Sequence, residues 1–273
     1  MKVDILFLAK NRREYTEEAL RQLERNTDWG LVNRLCIYED ITSDTNSKTS
    51  VPVVRLSHLV PWMVQTNNLS GPVAVMNEYL TTSALFQPAP WFAKIDNDTI
   101  VPPGWLDACI AIAETGNVDL IGIEARYCGH PPMPAHKPYE PDLPMHTRES
   151  VRATEPYPIL RYRRTDHVGG IGLFRRVVFE THPLPRPNGT YYGFTEFQWE
   201  HPHIRKCWID PPLPVFLLDH LPLEPWRSLG REYVKKGWQR ESWGEYDPSK
   251  DRGLWEWWVS QSLPSNYRTS TKL

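Results

Sequence analysis

The chain has 273 residues, is 40% hydrophobic and carries a net charge of −2. That is enough for one large domain with a sizeable core, and the wrong charge for a protein that coats nucleic acid. No run of about 18 apolar residues occurs, so the sequence offers no membrane-spanning helix.

The first residues, MKVDILFLAK, contain Asp4 and no small-residue cleavage site, so they read as a strand rather than a secretory leader. VDILFLA (3–9) predicts a buried strand, and REYTEEALRQLERN (13–26) has helical spacing in Tyr15, Ala19, Leu20 and Leu23. RLCIYED (34–40) predicts a second strand ending in acids, VPVVRLS (51–57) a third, and GPVAVMNEYLTTSAL (71–85) a helix. WFAKID (91–96) reads as a further strand. A helix over 103–116 begins near Pro103 and stops near Gly116, and VDLIGIEAR (118–126) returns to strand. This alternation predicts an α/β sandwich with a mostly parallel central sheet, whose ligands bind at the carboxyl ends of the strands.

The texture changes after residue 125. Residues 126–167 hold eight prolines and little periodicity, and a structureless insert of that length is expected to be a lid, a binding loop or disorder. HVGGIGLFRRVVFE (167–180) predicts a glycine-rich strand and a helix. FTEFQWEHPHIRKC (194–207) begins as a helix that Pro202 interrupts, and PVFLLDHL (214–221) is a last strand. The tail holds six of the twelve tryptophans. Four widely spaced cysteines (Cys36, Cys109, Cys128, Cys207) read as reduced thiols of a cytoplasmic protein.

Charge is uneven. Residues 1–125 carry 10 Lys/Arg against 16 Asp/Glu, and the remaining residues 21 against 17. Arg152, Arg161, Arg163, Arg164, Arg175 and Arg176 form a local basic excess that suits a phosphate-bearing acceptor, nucleic acid included, or a solvated face.

The most pointed feature is Asp96-Asn97-Asp98 behind WFAKI. In extended chain, residues i and i+2 face the same way, so two carboxylates at a strand end can share a hard divalent cation, Mg²⁺ or Mn²⁺. An Asx-rich turn ahead of Pro102 and Pro103 is the alternative.

Taken in order, FLAKNRREYTEEALRQL, IYED, GPVAVMNEYL, KIDNDTIVPPGWL, GGIGLFRR, GFTEF and LLDH resemble a GT-A-fold glycosyltransferase of the family-2 type. The likeness covers residues 3–125 well and 167–221 more loosely. It implies a metal-dependent transfer of a sugar from a nucleotide sugar, UDP-linked, to an acceptor hydroxyl, with inversion. It implies donor contacts at Leu8, Lys10 and Arg12 and at the strand-ending Glu39, with Asn97 between the acids. Asp96, Asp98 and the late His220 would hold Mn²⁺ or Mg²⁺. Glu196 of GFTEF is the implied general base, although Phe197 stands where a second acid is usual and Glu200 is the next acid along. The family's phosphate-side arginine is replaced by Met76, so Lys94, Arg12, Arg227 or Arg231 must supply positive charge.

One compact catalytic domain is expected: a nucleotide-sugar half (1–125), an acceptor half (126–221) with the Pro-rich insert, and a Trp-rich segment (222–273). The acceptor could be a hydroxymethylated base in DNA. A nucleotidyltransferase, or a non-catalytic protein that binds sugar or nucleic acid, are the alternatives.

Overall fold

The computed structural model describes residues 1–41, 62–67, 71–123, 149–152, 159–185, 193–209, 213, 215–218 and 225–236. The expected strand at 51–57, Cys128 and His220 lie outside these residues.

The apolar run at the N-terminus becomes β1 (Val3–Lys10), buried on both faces up to its exposed last residue. Strands covered on both sides read as continuous hydrophobic runs, which places β1 inside a sheet. Helix α1 (Arg13–Asn26) packs its Tyr15, Ala19, Leu20 and Leu23 stripe against one face. There follow β2 (Val32–Ile41), β3 (Trp62–Asn67), α2 (Pro72–Ser83), β4 (Trp91–Asp96), β5 (Thr99–Ile100), α3 (Trp105–Ala113) and β6 (Leu120–Gly122). The helix predicted over 103–116 ends close to Gly116, whose φ of +72° suits a residue without a Cβ. The second part contributes β7 (Glu149–Arg152), β8 (Ile159–Thr165), β9 (Gly172–Arg175), α4 (Arg176–Thr181), α5 (Gly193–Glu200), β10 (Lys206–Ile209), β11 (Phe216–Leu217) and α6 (Trp226–Lys235).

Among the described residues nine strands form one sheet in the order β3-β2-β1-β4-β9-β6-β10-β8-β7. Pairings β1–β2, β1–β4, β2–β3 and β6–β10 are parallel, and the rest are antiparallel. Only β9 and β8 therefore run against the other seven, and the sheet is mostly parallel, as predicted. The insert expected to be structureless supplies β7 and β8, an antiparallel pair on the sheet's edge. Neither was legible in the sequence: ESVR is only four residues long, and ILRYRRT follows directly on Pro156 and Pro158, which read as loop. The third strand of the sheet is Trp62–Asn67, a segment not predicted as strand.

Two apolar layers cover the sheet. Val3, Ile5, Phe7, Ala93 and Ile95 face α1, α3 and α6, while Leu6, Leu8, Phe92 and Phe174 face α2, α4 and α5. The tail helix α6 joins the first layer, with Trp226 and Tyr233 edge-on to Tyr15 and the Tyr233 hydroxyl bonded to Glu14. No helix among the described residues is long and apolar enough to cross a membrane.

Candidate functional site

The parallel strands β1, β2 and β4 end together. Leu8 lies between Tyr38 and Asp96, Ala9 opposes Glu39, and Lys10 opposes Asp40. This brings the predicted donor contacts Leu8, Lys10 and Glu39 and the predicted metal ligand Asp96 to one edge, as residues far apart in sequence. Leu8 and Glu39 are buried and Lys10 is exposed.

Strand alternation decides what the acids meet. Phe92, Lys94 and Asp96 share one face, and the Lys94 ammonium contacts Asp96 Oδ1 at 2.7 Å. Lys94 is 1% exposed. A buried ammonium needs a paired charge, and Asp96 is that partner. Beyond the strand, Asp98 Oδ2 receives Arg12 Nη1 at 3.0 Å. The same guanidinium donates through Nη2 to Asn97 Oδ1 at 2.7 Å.

Arg12 gets there through an unusual turn. Asn11 and Arg12 both have positive φ, 49° and 52°. Left-handed backbone at an ordinary L-residue costs roughly 1–2 kcal/mol and persists only where surroundings impose it. The surroundings here are Asn97, whose amide Nδ2 donates to the carbonyls of Lys10 and Asn11 and to Thr16 Oγ1. Thr16 in turn donates to the Arg12 carbonyl, closing the first turn of α1. Asn97 is therefore buried and fully occupied by the protein. Its structural effect is to lock the β1–α1 turn onto the end of β4.

Thr99 and Ile100 pair with Leu217 and Phe216, and the Leu218 N–H donates to the Asp98 carbonyl at 2.7 Å. The chain that carries His220 is thus bonded to the backbone of Asp98 two residues earlier. Among the described residues no three His, Cys, Asp or Glu side chains form a metal-binding group. Asp96 and Asp98 nevertheless present the donor chemistry that Mg²⁺ and Mn²⁺ take: hard carboxylate oxygens, one on each residue beyond that held by a cation.

On the other side, β9 lies against β4, with Gly172 opposite Lys94. A Cβ on Gly172 would stand 2.1 Å from the Ile121 carbonyl oxygen, so no other residue lets β9 fit between β4 and β6. The loop before β9 is held by α5: the buried Gln198 accepts from the Val168 N–H at 2.7 Å and donates to the Val168 carbonyl at 2.9 Å. Gly170 follows, where a Cβ would come within 3.5 Å of the Lys94 ammonium. Glu196 lies on the exposed side of α5, as does Glu200; the helix buries Phe194, Phe197 and Gln198 instead.

Arg175 and Arg176 belong in sequence to the basic group that suits a phosphate-bearing acceptor or a solvated face. Arg176 is buried, donates to the Ala89 carbonyl and the Tyr79 hydroxyl, and stacks over Tyr79 beside the buried Asp4. Arg175 contacts Asp119 at 3.1 Å. Arg176 is thus a core residue, while the exposed members described are Arg161, Arg163, Arg164 and the Asp119-paired Arg175. Gln198 and the Arg12–Asp98 pair were not anticipated as a set. The one sequence signal was an asparagine between two aspartates.

No protein-family model matches the sequence, and no curated protein matches it. The structure is similar to TarS of S. aureus, a GT-A-type glycosyltransferase. Against TarS residues 1–349 the TM-score is 0.54 at 12% identity, covering 100% of this chain and 76% of that one. The fold is GT-A. TarS 1–349 solved in complex with UDP-GlcNAc gives a TM-score of 0.51 at 12% identity, over 100% of this chain and 77% of that one. Against the longer TarS structure the chain covers 46% of its neighbour, at a TM-score of 0.53. In this GT-A chain the acids of Asp96-Asn97-Asp98 sit at the carboxyl end of β4, and Arg12 joins them from the head of α1.

Proposed function

We propose that the protein is a glycosyltransferase that moves a sugar from a nucleotide sugar, UDP-linked, to an acceptor hydroxyl with inversion. The observation that carries this reading is the convergence of Arg12, Lys94, Asp96 and Asp98 at the ends of β1 and β4 of a GT-A fold. Open α/β sheets bind ligands at this edge.

In this reading Glu39 accepts a hydrogen bond from the base, and Leu8 and Lys10 line the nucleoside side. Arg12 and Lys94 set positive charge beneath the diphosphate. Asp96 and Asp98, with His220, would hold Mn²⁺ or Mg²⁺, which when bound supplies Lewis-acid stabilisation of the departing diphosphate. Glu196 takes the proton of the acceptor hydroxyl as its oxygen bonds to the anomeric carbon. The bond from that carbon to the diphosphate breaks, and the leaving group keeps the electron pair. A hydroxymethylated base in DNA is the proposed acceptor. The cytoplasm is the proposed setting, where the buried thiols of Cys36, Cys109 and Cys207 stay reduced.

The test is incubation with a panel of UDP-, GDP-, ADP- and CMP-sugars plus Mn²⁺, with and without hydroxymethylated DNA, reading release of nucleotide. Turnover of a UDP-sugar, raised by acceptor, supports the proposal. Pyrophosphate release from a nucleoside triphosphate and a sugar phosphate would identify a nucleotidyltransferase instead. Binding that is indifferent to chelator, with no turnover, would mark a non-catalytic binder.

A further inference from the structure

Resting on that reading, we propose that a surface track running Arg163–Trp208–Gly169–His167–Trp199 is the acceptor site and takes single-stranded or locally opened nucleic acid, its bases stacked on tryptophan and its phosphates on β8. Each step of the track is a contact, a register pair or a two-residue step along the chain. Arg163 of β8 directly opposes Trp208 of β10, so both side chains stand on one face of the sheet. The Trp208 ring lies across Gly122, where a Cβ would come within 2.5 Å of it, and its far edge would be 3.4 Å from a Cβ on Gly169. Two residues before Gly169, the His167 ring packs edge-on to Trp199 at 6.2 Å between centroids.

The surface is open along its length. Arg163, Gly169 and Trp199 are exposed, and His167 and Trp208 are half-buried. Trp199 is 58% exposed. The His167 ring it meets is bonded through Nδ1 to Asp166 at 2.7 Å, and the adjoining Val168 is bonded on both sides to Gln198. An exposed indole on the same surface as basic groups is the element that single-strand binders use, stacking bases on aromatic faces while the basic groups follow the backbone. Arg161 and Arg163 point to the same face of β8 and supply those groups.

The track also ends where the chemistry is proposed. Glu196 lies three residues before Trp199 on α5, so the two are neighbours on its exposed side. A base lying on Trp199 would bring an exocyclic hydroxyl within reach of that carboxylate. The acids Glu196, Glu200 and Asp166 around the ring disfavour phosphate there. The polyanionic backbone is thereby kept on β8 and the base directed to the indole. A neutral oligosaccharide is the other occupant that an indole among carboxylates could take.

The experiment measures binding of a fluorescent ten-nucleotide oligothymidylate by anisotropy across a salt series, in wild type, Trp199→Ala and Arg163→Ala, with UDP affinity measured on the same preparations. Trp199→Ala should weaken the oligonucleotide about 5- to 150-fold, the loss of one stacked base. Arg163→Ala should reduce the slope of log affinity against log salt by about 0.7, one single-strand phosphate contact. UDP affinity should not change in either variant. No binding by wild type at low salt, binding indifferent to Trp199→Ala, or competition by maltotriose or chitotriose each overturns the proposal. If wild type binds the oligonucleotide as expected but neither UDP nor any nucleotide sugar, the track stands and the glycosyltransferase reading falls.

Discussion

Arg12 and Asp98, 86 positions apart, are joined at 3.0 Å, and the arginine enters that contact from a left-handed backbone. The ion pair and its companion bond to Asn97 hold the β1–α1 turn in a conformation that Arg12 would otherwise avoid. A strained backbone over-determined by its neighbours is a mark of a functional site, and here it fixes a guanidinium beside the paired acids.

The strain and the ion pair separate by mutation. Arg12→Ala should lower stability by about 2–4 kcal/mol, since it leaves Asp98 and Asn97 without their charged donor. Arg12→Gly loses the same bonds but tolerates positive φ, and should be more stable than Arg12→Ala by about 1 kcal/mol. Urea denaturation of both variants checks the order. Equal stabilities would mean that the turn relaxes once the arginine is gone.

The cluster of Lys94, Arg12, Asp96 and Asp98 sums to zero charge. A dication alone therefore gains little there, whereas a dication arriving with a diphosphate adds a nearly neutral pair. Calorimetry should show weak Mn²⁺ binding without nucleotide, clear UDP binding with Mn²⁺, and loss of the Mn²⁺-dependent part in Asp98→Ala. UDP affinity that is the same with EDTA as with Mn²⁺ would sink the metal proposal.

Glu196→Gln should preserve UDP affinity and lower turnover about 10²–10⁴-fold, the usual size of a general-base contribution. The exposed position on α5 makes the substitution harmless to the fold. If Glu200→Gln produces the loss and Glu196→Gln does not, the base is one helical turn further on.

Asp119 ties three strands together, accepting from Arg205 Nε, Nη2 and N–H and from Arg175. Burial works to raise its pKa, but the bonds from Arg205 and Arg175 outweigh it and hold the carboxyl below its ordinary value. A depressed carboxylate contributes stability above its unfolded pKa, near 3.9, which disappears as pH falls through the lower folded value. Asp119→Asn should therefore cost stability at pH 7, by about 1–3 kcal/mol. The gap to wild type should narrow below about pH 4. Thermal melts across that range measure it, and a constant gap would rule out the charge as the cause.

What the sequence determined by itself were the features whose cause is local. The apolar run of β1, the 3.6-residue stripe of α1 and the acids behind WFAKI were legible because periodicity and spacing act within one segment. The edge to which Asp96 belongs was legible too, since alternating strands and helices imply a parallel sheet with its ligands at one end. What the acids meet was decided only in three dimensions. Lys94 pairs with Asp96 because strand alternation sets both on one face of β4, where burial favours a paired ammonium. Arg12 reaches Asp98 because parallel pairing of β1 and β4 ends both strands at one edge. The roles within the arginine group were likewise settled by packing: Arg176 went into the core beside Asp4, while Arg163 came to stand across from Trp208. Composition counts charges, but register and burial decide which of them face water, and no spacing rule within one segment encodes a contact made between two.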